Sequence, residues 1–277
     1  MAAVISACTN DDNEPGIEIS GNDGTNNKLP NGDDIWPENV RRVRRVERID
    51  ESGLPEDRLF LLYHGNVITN EADAEFYCLE LEDSVVEIQT GDGTSRTELK
   101  DGKIMKAMGN IRARDYTYDS CYCTYGDGYL KQMTILEFAK WSDDKDKILY
   151  DFTFNSENLY SIKIVSDEET EELKYSYAEN ATIRNDASID WNVLMMSLWH
   201  NNQQKNDFYG LGLFGFFGKR TKSLPNKVVY AKNSTYEQIE EEWSISYKVD
   251  AEGYPVQIKC EEKDGEKKVR TVGIYYY

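Results

Sequence analysis

Five cysteines stand at positions 8, 78, 121, 123 and 260. Cys121 and Cys123 lie two apart in SCYCTY, so an extended backbone puts both sulfurs on one face, where they could begin a metal site or a bridge. The only histidines are His64 and His200. Neither stands at ligand spacing from a cysteine or from the other, so no metal is expected. A bridge between residues two apart in a strand would be strained. With Cys8 set aside, the other four are read as small buried hydrophobes, although three disulfide connectivities are open to them in an oxidising compartment. Cys8 is different. It follows Ile5, Ser6 and Ala7 and runs into Thr9, Asn10, Asp11, Asp12 and Glu14, a thiol between an apolar stub and an acidic stretch.

Carboxylates are abundant, with 51 Asp and Glu. Two of them converging in space could hydrolyse a glycosidic bond, but such a pair is recognised by separation and not by sequence. A Ser-His-Asp order is not suggested by two histidines, and LLYHGN puts His64 at a strand end where a turn explains it. The acids of SDDKDK and NGDD lack the glycine and final glutamate of a calcium loop and read as solvated turns. GLGLFGFFGKRTKSLPNKV, residues 210–228, places Lys219 after Gly218 like a phosphate loop. That loop would need glycine where Leu213 stands and Ser or Thr where Arg220 stands. Its apolar residues Leu211, Leu213, Phe214, Phe216 and Phe217 instead predict a buried plug or lid ending in a basic turn. No catalytic residue and no cofactor are assigned.

The aromatic residues offer more. Among 19 tyrosines, Tyr116, Tyr118, Tyr122, Tyr125 and Tyr129 fall in one short region and are candidates for stacking on the rings of a ligand such as a sugar. Cross-strand pairing that supports a sheet is the simpler role for the same residues.

These residues must be carried by something large. The 277 residues can bury a sizeable core, and 32 Lys and Arg against 51 acids give a formal charge of −19. That charge repels phosphate backbones, so a nucleic-acid partner is not expected. No stretch approaches the ~18 consecutive apolar residues of a membrane-spanning helix. Residues 1–35 hold little that could fill a core and read as a flexible tether. Residues 36–277 read as a single β-rich domain.

Within that domain the apolar period is mostly two. ILYDFTF sets Ile148, Tyr150, Phe152 and Phe154 against Leu149, Asp151, Thr153 and Asn155, and NLYSIKIVS follows after a short turn. Comparable runs recur between GDGT, KDG, YGDG, DAEG and EKDGE turns. ENVRRVRRVERID repeats its apolar residues every third position and is read as a strand from its β-branched content, its five arginines making ordinary ion pairs. NDASIDWNVLMMSLWHNN predicts one helix near 188–200, with Asn185, Asp186 and Ser188 as capping residues. GYLKQM and GYPVQI share a pattern that NLYSI follows loosely, each after an aromatic strand and an acidic turn. The fold class is therefore all-β, an antiparallel meander curled into a barrel-like shape to protect its edges.

Ile5-Ser6-Ala7-Cys8 resembles a bacterial lipobox, whose cysteine becomes the diacylated, acylated amino terminus. Thr9 in place of aspartate and the acids at 11, 12 and 14 resemble export signals to the outer membrane. The stub before Cys8 is shorter than a signal-peptide core and has no basic start, so a longer leader upstream is expected. Two or three acyl chains give stable anchoring where one does not.

The helix IDWNVLMM, the LGLFGFFGKRTKSLPNKV stretch and the closing DAEGYPVQI hairpin resemble a family of Gram-negative lipoproteins, a domain of unknown function with a porin-like fold. The hairpins resemble degenerate tyrosine-aspartate repeats. The resemblance implies a porin-like architecture and a lipid anchor at Cys8, and no activity. The expected protein is a lipid-anchored, outer-membrane cell-envelope protein, periplasmic or surface-facing, that binds a ligand such as a glycan without enzymatic activity. The alternative is a polysaccharide or peptide hydrolase using acidic residues. The barrel itself is not expected to span the membrane.

Overall fold

Where the sequence alternates, the backbone is extended. The computed structural model describes residues 41–49, 53–64, 67–72, 75–82, 85–90, 93–109, 117–139, 145–178, 183–199, 215–263 and 268–277. Among them are sixteen strands and one short helix. The first half holds β1 (Val43–Ile49), β2 (Pro55–His64), β3 (Val67–Ala72), β4 (Glu75–Glu82), β5 (Val85–Thr90), β6 (Gly93–Lys100), β7 (Lys103–Gly109) and β8 (Thr117–Gly126). The second holds β9 (Tyr129–Ala139), β10 (Lys145–Asn155), β11 (Asn158–Val165), β12 (Glu169–Ser176), α1 (Trp191–Ser197), β13 (Lys227–Ser234), β14 (Gln238–Val249), β15 (Pro255–Glu262) and β16 (Val269–Tyr276).

The sheet is the expected antiparallel meander. Each strand pairs with its neighbours in sequence, and β1 pairs with both β2 and β16, so the ladder of hydrogen bonds returns to its start as a closed barrel. The arginine-rich run that fitted neither period is β1. Its valines Val43 and Val46 are buried, and register shifts between Val43 and Arg45 and between Arg48 and Ile49 account for the broken alternation.

The barrel's two faces differ. Ile148, Tyr150 and Phe152 of β10, Ile162 and Ile164 of β11, and Trp243 and Ile245 of β14 point inward and are buried. Outward, Asp151 stands opposite Lys163 and Lys163 opposite Glu172, a line of alternating charge across three strands. Glu242 holds Lys227 and Lys263, and Glu261 holds Lys259. A wall facing hydrocarbon carries the opposite pattern, since a lysine on that face costs about 2–4 kcal/mol at the bilayer midplane.

One end of the barrel is built from tight turns. In the β8–β9 turn Asp127 and Gly128 both have positive φ, 56° and 85°, the twist-matched hairpin geometry that the GDG spelling announces. The long connection from β12 to β13 closes this end. Its backbone N–H groups at Arg184, Lys219 and Lys222 donate to the carbonyls of Gly253, Gly128 and Glu157, one in each of three turns, while Ile104 of β7 donates to Phe216 O. From there the connection dips inward. Trp191, Met196, Leu198, Trp199, Phe216, Phe217 and Leu224 are buried in one cluster with the inner faces of the strands, so the expected plug is present at Phe216 and Phe217. Leu211, Leu213 and Phe214 lie outside the described residues.

The helix is shorter than the expected 188–200, and the residues assigned to cap it do other work. Ser188 Oγ accepts from Val43 N at 2.9 Å, which ties the connection to the start of β1. Asn185 Nδ2 donates to Thr221 O, and Asp186 pairs with Arg184. The first helical bond runs from Leu194 N to Asp190 O, so Asp190 occupies the cap position.

Candidate functional site

The region opposite the plugged end has a different lining. Glu171, Tyr230, Glu241, Glu262 and Arg270 are all in phase with buried apolar residues of their own strands: Leu173, Val228, Trp243, Cys260 and Val272. Direct cross-strand partners share a face. Trp243 stands opposite Glu262, Glu241 opposite Tyr230, and Cys260 opposite Arg270, so the charged residues face the lumen. Arg48 stands opposite the buried Val272 and faces inward with them.

Exposure falls from rim to depth. At the rim Lys268 is 52% exposed and its Nζ lies 2.9 Å from Glu241 Oε1, while Glu241 itself is 13% exposed. Lys232 and Glu169 form a second rim pair at 2.8 Å. Deeper, Tyr230 OH donates to Glu171 Oε2 at 3.0 Å and Trp243 Nε1 donates to Glu241 Oε2 at 3.0 Å. Burial, with Glu171 beside it, pushes the Tyr230 phenol well above its ordinary value. The hydrogen bonds they donate to Glu169 and Glu241 raise Lys232 and Lys268, so both stay charged.

Arg270 closes the floor. Its guanidinium lies 4.8 Å over the Trp243 ring and 5.8 Å over Trp199, and the two indoles meet edge to face at 6.0 Å. Among the described residues no carboxylate lies within ion-pair distance of it. Burial lowers its basicity, and the charge of Arg48 adds to that effect against the pull of Glu241.

Among the tyrosine candidates whose side chains are described, Tyr122 lies on a different face from Tyr125 and Tyr129. Tyr122 is 41% exposed on the outer wall, opposite Lys106. Tyr125 is half-buried, with its OH donating to Ile104 O at 2.8 Å. Tyr129 packs on Phe154 at 4.6 Å with Lys219 over its ring. Tyr125 and Tyr129 thus hold the plug. Tyr118 belongs to β8, opposite Phe138, and Tyr116 and Cys8 lie outside the described residues. Cys121, Cys123 and Cys260 are free and buried, with the first two sulfurs 3.9 Å apart. Among the described residues no group of three or more metal-ligating side chains occurs. The lumen charges were missed from sequence, although KVRTVGI, EEWSISY and EELKYS each set a charge in phase with an aliphatic or aromatic row.

A second cluster sits at the plugged end. Arg41 pairs with Asp250 at 2.6 Å and Glu252 at 3.1 Å and lies over the rings of Tyr276 and Tyr254, at 4.7 and 5.2 Å. Its groups are engaged with one another, and it fastens the start of β1 to the β14–β15 turn.

The same architecture occurs in solved structures. A porin-like protein from Bacteroides vulgatus aligns with a TM-score of 0.65 at 15% identity, over 86% of this chain and 99% of that one. A porin-like protein from Bacteroides uniformis aligns with a TM-score of 0.60 at 15% identity over the same shares. At that identity the likeness concerns the fold, which is porin-like. No protein-family model matches the sequence, and no curated protein matches it.

Proposed function

We propose that this chain is a lipid-anchored cell-envelope protein whose porin-like barrel is a non-enzymatic binding module, with glycans the favoured ligands, and not a channel. The observation that carries this is the inverted wall. The Asp151, Lys163 and Glu172 line faces outward, while the lumen is filled from one end by the β12–β13 connection. A barrel of that kind is suited to water around it and a ligand at its remaining mouth. Residues 1–35 serve as leader remnant, lipobox and tether, and Cys8 carries the acyl chains that hold residues 36–277 at the outer membrane, facing the periplasm or the surface. Binding is favoured over hydrolysis because Glu171 and Glu241 are each held by a donor: Tyr230 for one, Lys268 and Trp243 for the other.

The test is intact-mass analysis of the full-length protein extracted with detergent from its native host. The expected product begins at Cys8 with diacylglyceryl and acyl mass added, and Cys8→Ser moves the protein to the soluble fraction. A product with a bare Cys8 thiol overturns the anchor. Stepwise conductance from the purified protein in a planar bilayer overturns the binding-module reading.

A further inference from the structure

Three polar groups around the Trp243 and Trp199 indoles keep unused hydrogen-bonding capacity. Arg270 has a guanidinium with no carboxylate within ion-pair distance among the described residues, and its charge feels Glu241 only from farther off. Trp199 is 6% exposed, and its Nε1–H has no acceptor. Glu262 Oε2 is buried and has no donor. A buried polar group without a partner destabilises the fold, and a charged one does so more. All three border the Trp243 and Trp199 indoles, since Glu262 stands opposite Trp243 and Arg270 lies over both rings.

The unmet needs specify a ligand. Two N–H donors, one of them a planar cation, ask for an oxyanion, and a guanidinium pinned against indole faces presents its fork already oriented. Arg48 adds a second positive charge nearby. Glu241 is the acid whose charge acts on Arg270, and it is already shared by Lys268 and Trp243. Glu262 Oε2 asks for something else, an N–H or O–H donor, and the hydroxyls of a sugar supply the latter. A bare carboxylate or sulfate offers none, and a neutral sugar offers no anion. A sugar acid offers both.

We propose that the mouth formed by Arg270, Trp199 and Glu262 binds the hexuronate unit of an acidic glycan. The carboxylate accepts from Arg270 and the Trp199 N–H, and a ring hydroxyl donates to Glu262. The graded lining from Lys268 at the rim to the buried indoles is the entry path. This deepens the binding reading above by naming the substrate class.

The experiment titrates the full-chain protein with trigalacturonate, galactotriose, acetate and sulfate, following heat and tryptophan fluorescence. Trigalacturonate is expected to bind saturably, and the other three about ten-fold more weakly or worse. Arg270→Gln is expected to weaken trigalacturonate about ten-fold or more, and Glu262→Leu to weaken it several-fold, with unfolding midpoints confirming folded variants. Should Arg270→Gln not fold, Arg270→Lys keeps the charge and loses the fork, and a similar loss of affinity is expected. No binding of trigalacturonate, or unchanged affinity in a folded Arg270 variant, overturns the proposal. Equal binding of acetate or sulfate reduces the mouth to a simple anion site and overturns it too. Equal binding of galactotriose leaves the glycan-binding reading standing and this inference fallen.

Discussion

Gly218 of the plug lies against the carbonyl of Gly128 in the β8–β9 turn, so close that a Cβ on Gly218 would sit 2.5 Å from that oxygen. The Lys219 N–H donates to the same carbonyl at 2.8 Å. Gly218 also has φ +88°, where a side chain is strained in any surroundings. Gly218→Ala therefore meets two penalties: left-handed strain of about 1–2 kcal/mol and displacement of the plug from its turn. Gly53→Ala is the control, because Gly53 has φ +84° with nothing within 4 Å. Thermal unfolding followed by circular dichroism is expected to show a clearly larger loss for Gly218→Ala. Equal losses would mean that the plug yields without cost.

The tyrosines separate in the same way. Tyr125→Phe deletes the hydrogen bond to Ile104 O and is expected to cost about 0.5–1.5 kcal/mol in urea unfolding. Tyr122→Ser changes an outer-wall residue and is expected to stay within about 0.5 kcal/mol. Neither is expected to alter ligand affinity at the mouth. A loss of glycan binding in folded Tyr122→Ser would return the site to the outer wall.

Alternation made the strands legible because the lumen is filled: Ile148, Tyr150 and Phe152 needed burial and Asp151 did not. What alternation could not convey was the use made of each inward position. Arg270 reads as surface by residue type and lies inside by phase, next to Val272 and Ile274. Its neighbours Trp199 and Trp243 come from a connection and a strand far apart in sequence. The helix ran short for a related reason. Ser188, a fitting cap by local chemistry, is claimed by Val43 N across 145 residues, a contact that no local pattern carries.

Arg220 is the clasp between the two arms of the connection. Its Nη1 donates to Ala187 O and to Ile189 O, the latter at 3.1 Å. Arg220→Met keeps the stem and leaves both carbonyls without that donor, at a cost of about 1.5–3 kcal/mol. Amide hydrogen exchange is expected to quicken in residues 183–199 while strands β9 to β12 keep their protection. Uniform acceleration throughout the barrel would show that the connection and the sheet open as one unit.

The buried thiols set a limit on the alkaline side. Burial pushes Cys260 from its ordinary 9.0 up to about 12, and the hydrogen bond with Cys123, then burial, holds Cys121 well above the same value. The folded state thus keeps protons that the unfolded chain releases. Stability from Cys260 is complete below pH 9 and drains away as the pH rises toward 12, at about 1.4 kcal/mol per pH unit for each proton. Cys260→Ala removes that share, so its urea midpoint is expected to fall less steeply between pH 9 and 11 than that of the unaltered protein, whatever the offset from the smaller side chain. Parallel slopes would place the Cys260 sulfur in contact with water, and native-state alkylation at pH 8 would then be fast where burial predicts almost none.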